Sequence, residues 1–85
     1  MREFTYKITD PEGIHARPAG ILVKQAAGYS CAVKIVKDGR EVDAKRIMGL
    51  MSLGIKCGME ITVKCDGEGE DVAIAELETF FKENL

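Results

Sequence analysis

Apolar and polar side chains alternate near the start of the chain, with Phe4, Tyr6 and Ile8 set against Thr5, Lys7 and Thr9. A period of two predicts a strand with one buried face. Asp10-Pro11-Glu12-Gly13 ends the alternation as a loop. From Ala16 to Ala27 the apolar positions Ile21, Leu22, Val23 and Ala26 suit a helix. Pro18 falls in its first turn, where no amide hydrogen is missed, and Gly28 is its stop. Alternation returns at Cys31, Val33 and Ile35, followed by the two-residue hairpin signal Asp38-Gly39 and a return strand from Arg40 to Ala44. The stretch RIMGLMSLGI is too dense in Leu, Met and Gly for a strand, so Ile47–Leu53 is predicted as a short helix capped by Gly54. Ile61, Val63 and Cys65 alternate as a fourth strand. Gly69-Glu70-Asp71 then leads into a helix with Ile74, Leu77 and Phe81 on one stripe. Its acidic first turn and Lys82 near its end match the helix dipole.

The predicted order is β-α-β-β-α-β-α. Each strand hides one face, so the expected fold is α+β: an open-faced β-sandwich with a four-stranded antiparallel sheet and three helices on one face. An 85-residue chain without repeats or a linker is expected to form one domain, residues 1–85. There is no apolar run near the roughly 18 residues that span a bilayer, and Met1-Arg2-Glu3 does not open a signal peptide. A cytoplasmic protein that does not insert into membranes is expected. Cys31, Cys57 and Cys65 are odd in number and lack C-x-x-C spacing, which predicts reduced thiols, two of them in the core. One histidine and three scattered cysteines offer no pair of metal ligands, so neither a metal nor another cofactor is expected.

Charge is divided unevenly along the chain. Residues 1–56 carry ten Lys/Arg and six Asp/Glu, a net +4, whereas residues 57–85 carry two and eight, a net −6. The basic half holds the only histidine, His15, within GIHARPAG. That favours an anionic substrate or an acidic partner near it. A lone histidine more often caps a helix or fills a core. This one stands at a helix entrance, off any apolar stripe, with Arg17 two residues on. The first amides of a helix have no partners within it and, with the positive end of the dipole, bind anions. Ala16, Arg17 and Pro18 form that helix start, and the Arg17 guanidinium can grip phosphate oxygens in bidentate fashion. Imidazole is a nucleophile that forms covalent intermediates. A phosphoryl group on His15 would lie among those amides, with no second base or metal-binding motif beside it to activate water. No serine or cysteine motif near His15 supports a hydrolytic triad.

GIHARPAG resembles the active-site motif of the HPr family, the histidine-containing phosphocarriers of the bacterial phosphoenolpyruvate:sugar phosphotransferase system. IMGLMSLGI is similar to that family's second signature, around its short second helix. Spacing, length and element order agree along almost the whole chain. The resemblance implies that Nδ1 of His15 accepts phosphate from phosphorylated enzyme I, with Arg17 assisting, and passes it to the IIA protein or domain of a sugar permease. It implies a stoichiometric carrier rather than a turnover enzyme, expected to act as a monomer. It also implies docking through Ala19, Gly20 and Lys24 of the active-site helix and through Arg46, Ile47, Met48 and Met51. Helical spacing cannot bury every apolar residue of the short helix, so Met48 at least is expected to be exposed, and methionines suit a surface that fits several partners.

One departure stands out. In relatives from low-GC Gram-positive bacteria a serine just before Ile-Met-Gly takes a regulatory phosphate from an ATP-dependent kinase; here that position is Arg46. The regulatory serine is absent. Ser52 is the nearest alternative and is expected to be packed or bonded to backbone. Arg46, with Lys45 and Arg17, would instead extend a basic rim. Two other readings remain: a paralogue in a regulatory phosphotransfer chain without sugar transport, and a small nucleic-acid or interaction module. The last needs stacking aromatics on the sheet and a basic surface, against an isoelectric point of about 5.4.

Overall fold

The computed structural model describes residues 1–85. Backbone hydrogen bonds join β1 (Arg2–Lys7), β2 (Ala32–Lys37), β3 (Arg40–Asp43) and β4 (Glu60–Asp66) into one antiparallel sheet of order β1-β4-β2-β3. Helices α1 (Ala16–Ala27), α2 (Ile47–Ser52) and α3 (Glu70–Asn84) complete the predicted order. The register explains why one face is covered. Phe4 faces Val63, Val63 faces Ile35 and Ile35 faces Val42, so an apolar row crosses all four strands. One residue on, Thr5, Thr62, Val36 and Glu41 cross the opposite, open face. The β2–β3 hairpin turns through Asp38 and Gly39, both at positive φ (51° and 78°), the geometry that a two-residue turn needs.

Leu22, Val33, Ile35, Ile61, Val63, Leu77 and Phe81 are among the side chains that fill the space between sheet and helices. The rings of Phe4 and Tyr6 each meet Phe81 edge-on at 5.7 Å, beneath the helices. No aromatic side chain is left on the open face of the sheet to stack a base. Gln25 of α1 donates to the Tyr29 hydroxyl (3.0 Å), which donates to Glu76 of α3 (2.8 Å), tying the two helices together. Two of the three thiols lie in the core as predicted: Cys31 and Cys65 are buried, and Cys57 is exposed. Burial, with Cys31 alongside, pushes the Cys65 thiol up to about 12, so it is a packing group rather than a nucleophile. No helix is long and apolar enough to cross a membrane.

Several details differ from the hydrophobic pattern. α1 buries Pro18, Ala19, Leu22 and Ala26, whereas Ile21 is 48% exposed. Ala19, Leu22 and Ala26, spaced by three and four residues, define the inner stripe, and Ile21 falls outside it. α3 buries Ala73, Leu77, Phe80 and Phe81, leaving Ile74 at the edge of the core. β3 stops at Asp43, whose carboxylate accepts the Lys45 amide at 2.9 Å and turns the chain away from the sheet. α2 ends at Ser52, one residue early, and Gly54 follows in the left-handed region (φ 59°).

Candidate active site

The loop between β1 and α1 is closed by its own residues. The Gly13 amide donates to the Asp10 carbonyl (2.9 Å), and Asp10 Oδ1 accepts the Glu12 amide (2.8 Å). Gly13 has φ 68°, and a Cβ there would run into the Ile55 carbonyl and the Lys56 Cα. Only glycine allows this approach, which brings the Ile14 amide to the Ile55 carbonyl at 3.1 Å. His15 is thus anchored from both sides.

His15 is the N-cap of α1, with extended backbone (φ −93°, ψ −178°), and its carbonyl accepts the Ala19 amide at 3.0 Å. Its ring caps nothing and is 37% exposed. The amides of Ala16 and Arg17 have no acceptor within the chain, and Pro18 after them has no amide hydrogen. The helix start therefore presents two free donors. Arg17 is exposed and engaged in neither an ion pair nor a hydrogen bond. His15, Arg17, Pro18 and Ile21 line a cleft of about 280 Å³ together with Asp10 and Asn84. A larger hollow, about 390 Å³, lies by the β2–β3 hairpin. Its lysine, Lys37, is committed to the Leu53 carbonyl at 2.9 Å, so the unengaged cation and imidazole lie in the smaller cleft.

Two carboxylates flank the imidazole: Asp10 Oδ2 lies 4.0 Å from Nε2 and Glu12 Oε2 lies 3.6 Å from Nδ1. This corrects the expectation of basic surroundings with no second base at hand. A tally over 56 residues cannot locate two acidic side chains in one turn. The signal was present in Asp10-Pro11-Glu12-Gly13, where the turn folds both side chains toward the next residue with a functional group. Asn84 and Ile21, also in the cleft, carry no comparable mark, because the approach of α3 and the rotation of α1 depend on packing across the whole domain.

The residues expected to meet partners separate. Ala16 and Lys24 are exposed, and the space where Gly20 would carry a Cβ is open. Ala19 is fully buried and so belongs to the core instead. Ile47, Met48 and Met51 are exposed on α2, Met48 at 80%, while Leu50 alone points inward. α2 lies against α1. Arg46 is the N-cap of α2 and stands 4.0 Å from Asp43. Lys45 does not join it in a basic rim, because its ammonium donates to the Tyr29 carbonyl at 2.8 Å. Ser52 is exposed, yet its hydroxyl donates to the Gly49 carbonyl (2.6 Å) and Arg40 bonds its Oγ (3.2 Å).

Comparison with known proteins places this geometry. The profile of the PTS HPr component phosphorylation site family matches residues 2–83. The chain belongs to the HPr family. Phosphocarrier protein HPr of Mycoplasma genitalium is 42% identical over 85 residues, covering 99% of this chain and 97% of that one. The histidine-containing phosphocarrier protein described from Mycoplasma superimposes with a TM-score of 0.93 at 36% identity, covering 96% of this chain and 93% of its own. An HPr dimer from Thermoanaerobacter tengcongensis gives a TM-score of 0.78 at 37% identity, covering 98% and 95%. The HPr fold, an antiparallel open sheet under three helices, is thus shared along nearly the whole chain.

Proposed function

We propose that this chain accepts a phosphoryl group from phosphorylated enzyme I on Nδ1 of His15 and passes it to a IIA protein or domain of a sugar permease. The observation that carries the reading is the exposed His15 ring at the start of α1, beside two free amides and an unpaired guanidinium. Nδ1 attacks the phosphorus of the donor's phosphoryl group, and the donor's own bond to phosphorus breaks as the new nitrogen–phosphorus bond forms. The Ala16 and Arg17 amides and the Arg17 side chain neutralise the phosphoryl oxygens. That stabilisation is greatest where charge is spread in the transition state. The chain works as a monomeric cytoplasmic carrier, without a cofactor. A two-stage transfer tests it: labelled phosphoenolpyruvate, enzyme I and this chain, followed by an isolated IIA domain. Label should move from chain to IIA; label held on the chain against every IIA domain of the same organism argues against sugar transfer.

Partners dock on the surface formed by Gly20, Lys24, Arg46, Ile47, Met48 and Met51. Met48→Asp is expected to weaken binding of enzyme I and of IIA by about tenfold or more, because a charge within an apolar contact must be desolvated. Its thermal midpoint should stay near wild type, since the side chain is 80% exposed. Titration calorimetry with each partner checks this, and unchanged affinity for both removes Met48 from the interface.

Arg46 replaces kinase control with steering. Treatment with ATP and a kinase that modifies HPr should leave this chain without phosphoserine by mass spectrometry. Phosphate on Ser52 contradicts that outcome. Arg46→Glu is expected to slow acceptance from enzyme I about threefold at low ionic strength and less in salt, as screening removes the attraction. Rates equal to wild type at low salt make Arg46 a bystander.

A further inference from the structure

Asp10 and Glu12 both face His15, but they are held differently. The Asp10 amide donates to the Leu85 oxygen at 2.8 Å, and its Oδ1 accepts the Glu12 amide, so the turn itself fixes the side chain. Its side chain is only 25% exposed, and Oδ2 makes no hydrogen bond; His15 Nε2 is the polar group it faces, at 4.0 Å. Glu12 is 73% exposed, and nothing but Nδ1 approaches its carboxylate. A carboxylate held near one ring nitrogen attracts the proton to that nitrogen and favours a lone pair on the other. The aspartate of a catalytic triad does this through a hydrogen bond, and Asp10 acts by charge across 4.0 Å.

We infer that Asp10 is a positioning residue for phosphoryl acceptance: it keeps the proton of His15 on Nε2, presents the Nδ1 lone pair to phosphorus and balances the charge that the ring then acquires. The inference rests on the phosphocarrier reading. In the step, the Nδ1 lone pair forms the new nitrogen–phosphorus bond. The bond between phosphorus and the donor atom breaks, and its electron pair returns to the donor. The Nε2 proton stays where it is. A neutral imidazole becomes a phosphoimidazolium, and its positive charge faces Asp10 Oδ2, so the contact tightens as the bond forms. The phosphoryl group carries negative charge to the Nδ1 side, where Glu12 is free to swing into solvent under like-charge repulsion. Arg17 is the remaining charged side chain of the cleft and serves the phosphoryl oxygens; Asn84 is neutral. The Leu85 oxygen is occupied by the Thr9 and Asp10 amides and the Thr9 hydroxyl, so it does not compete for the ring.

Nitrogen NMR of the unphosphorylated protein at alkaline pH reads the neutral tautomer directly. The proton should reside mainly on Nε2 in the wild type. Asp10→Asn retains Oδ1 as acceptor for the Glu12 amide and removes only the charge. It should move the tautomer population toward Nδ1–H and slow acceptance from enzyme I about fivefold, the effect of one unit charge at this distance in water-like surroundings, with KM nearly constant. A wild type with its proton mainly on Nδ1 overturns the inference without any variant. A variant that leaves tautomer or rate unchanged overturns it too. His15→Ala keeps the two readings apart: label accepted without His15 defeats the carrier itself. A wild type labelled on His15 and matched by Asp10→Asn defeats only the role of Asp10.

Discussion

His15→Ala is expected to accept no phosphoryl group from phosphorylated enzyme I while unfolding at nearly the wild-type temperature. In the proposed transfer the imidazole is the nucleophile, and no other side chain in the cleft offers a nitrogen lone pair in its place. Asp10 and Glu12 are carboxylates without an attached helix start, and Arg17 has no lone pair to offer. The structural cost is small for separate reasons. The ring makes no hydrogen bond to the helix amides, so alanine at the N-cap removes no cap. It is partly exposed and lies outside the core, where substitutions typically cost about 0.5 kcal/mol or less. For a domain of this size that is a shift of roughly 2–4 °C. Labelling with phosphoenolpyruvate and enzyme I, run beside a thermal melt, checks both halves. Labelling at wild-type level removes His15 from the chemistry. A collapsed melt makes it a structural residue.

Arg17→Ala is expected to slow transfer by about a hundredfold to a thousandfold, the range found when a charged or oriented donor is removed from a developing oxyanion. The size follows from what remains. After the substitution only the two free amides of Ala16 and Arg17 face the phosphoryl oxygens, and the cleft's nearest charges, Asp10 and Glu12, are both negative. The guanidinium is the sole positive charge lining that cleft. It has no ion pair to break and no packing to lose, so folding should be untouched. Single-turnover transfer from enzyme I measures the rate, and Arg17→Lys separates charge from shape: a point charge without the planar fork should restore only part of it. A rate within a few-fold of wild type in Arg17→Ala shows that the amides suffice.

The strands, the helix order and the place of His15 follow from local patterns. Alternation marks Phe4–Ile8 and Ile61–Cys65, Asp38-Gly39 demands a tight turn, and Gly13 with Pro18 brackets a loop-to-helix entry. Each of these signals acts over a few residues, and the fold keeps them because neighbouring strands agree in register. What depends on tertiary approach was harder to read. Ala19 looks like a surface residue beside Gly20 until the rotation of α1 is known, and Ile21 looks like core for the same reason. Lys45 counts as a surface cation until Tyr29 offers it a carbonyl 2.8 Å away. The acidic flank of His15 was hidden by averaging charge over half the chain. Electrostatics at a site is a matter of a few ångströms, and a turn of four residues sets it here.

The proposed function places one phosphoryl group on His15. The most direct test is phosphorus NMR of the wild-type chain after incubation with phosphoenolpyruvate and enzyme I, followed by acid treatment and residue mapping. The expected product carries one phosphoryl group per chain, bonded to Nδ1 of His15, lost in acid and retained in alkali. No phosphorylation, or an acid-stable phosphate on Ser52 or any other hydroxyl, contradicts it.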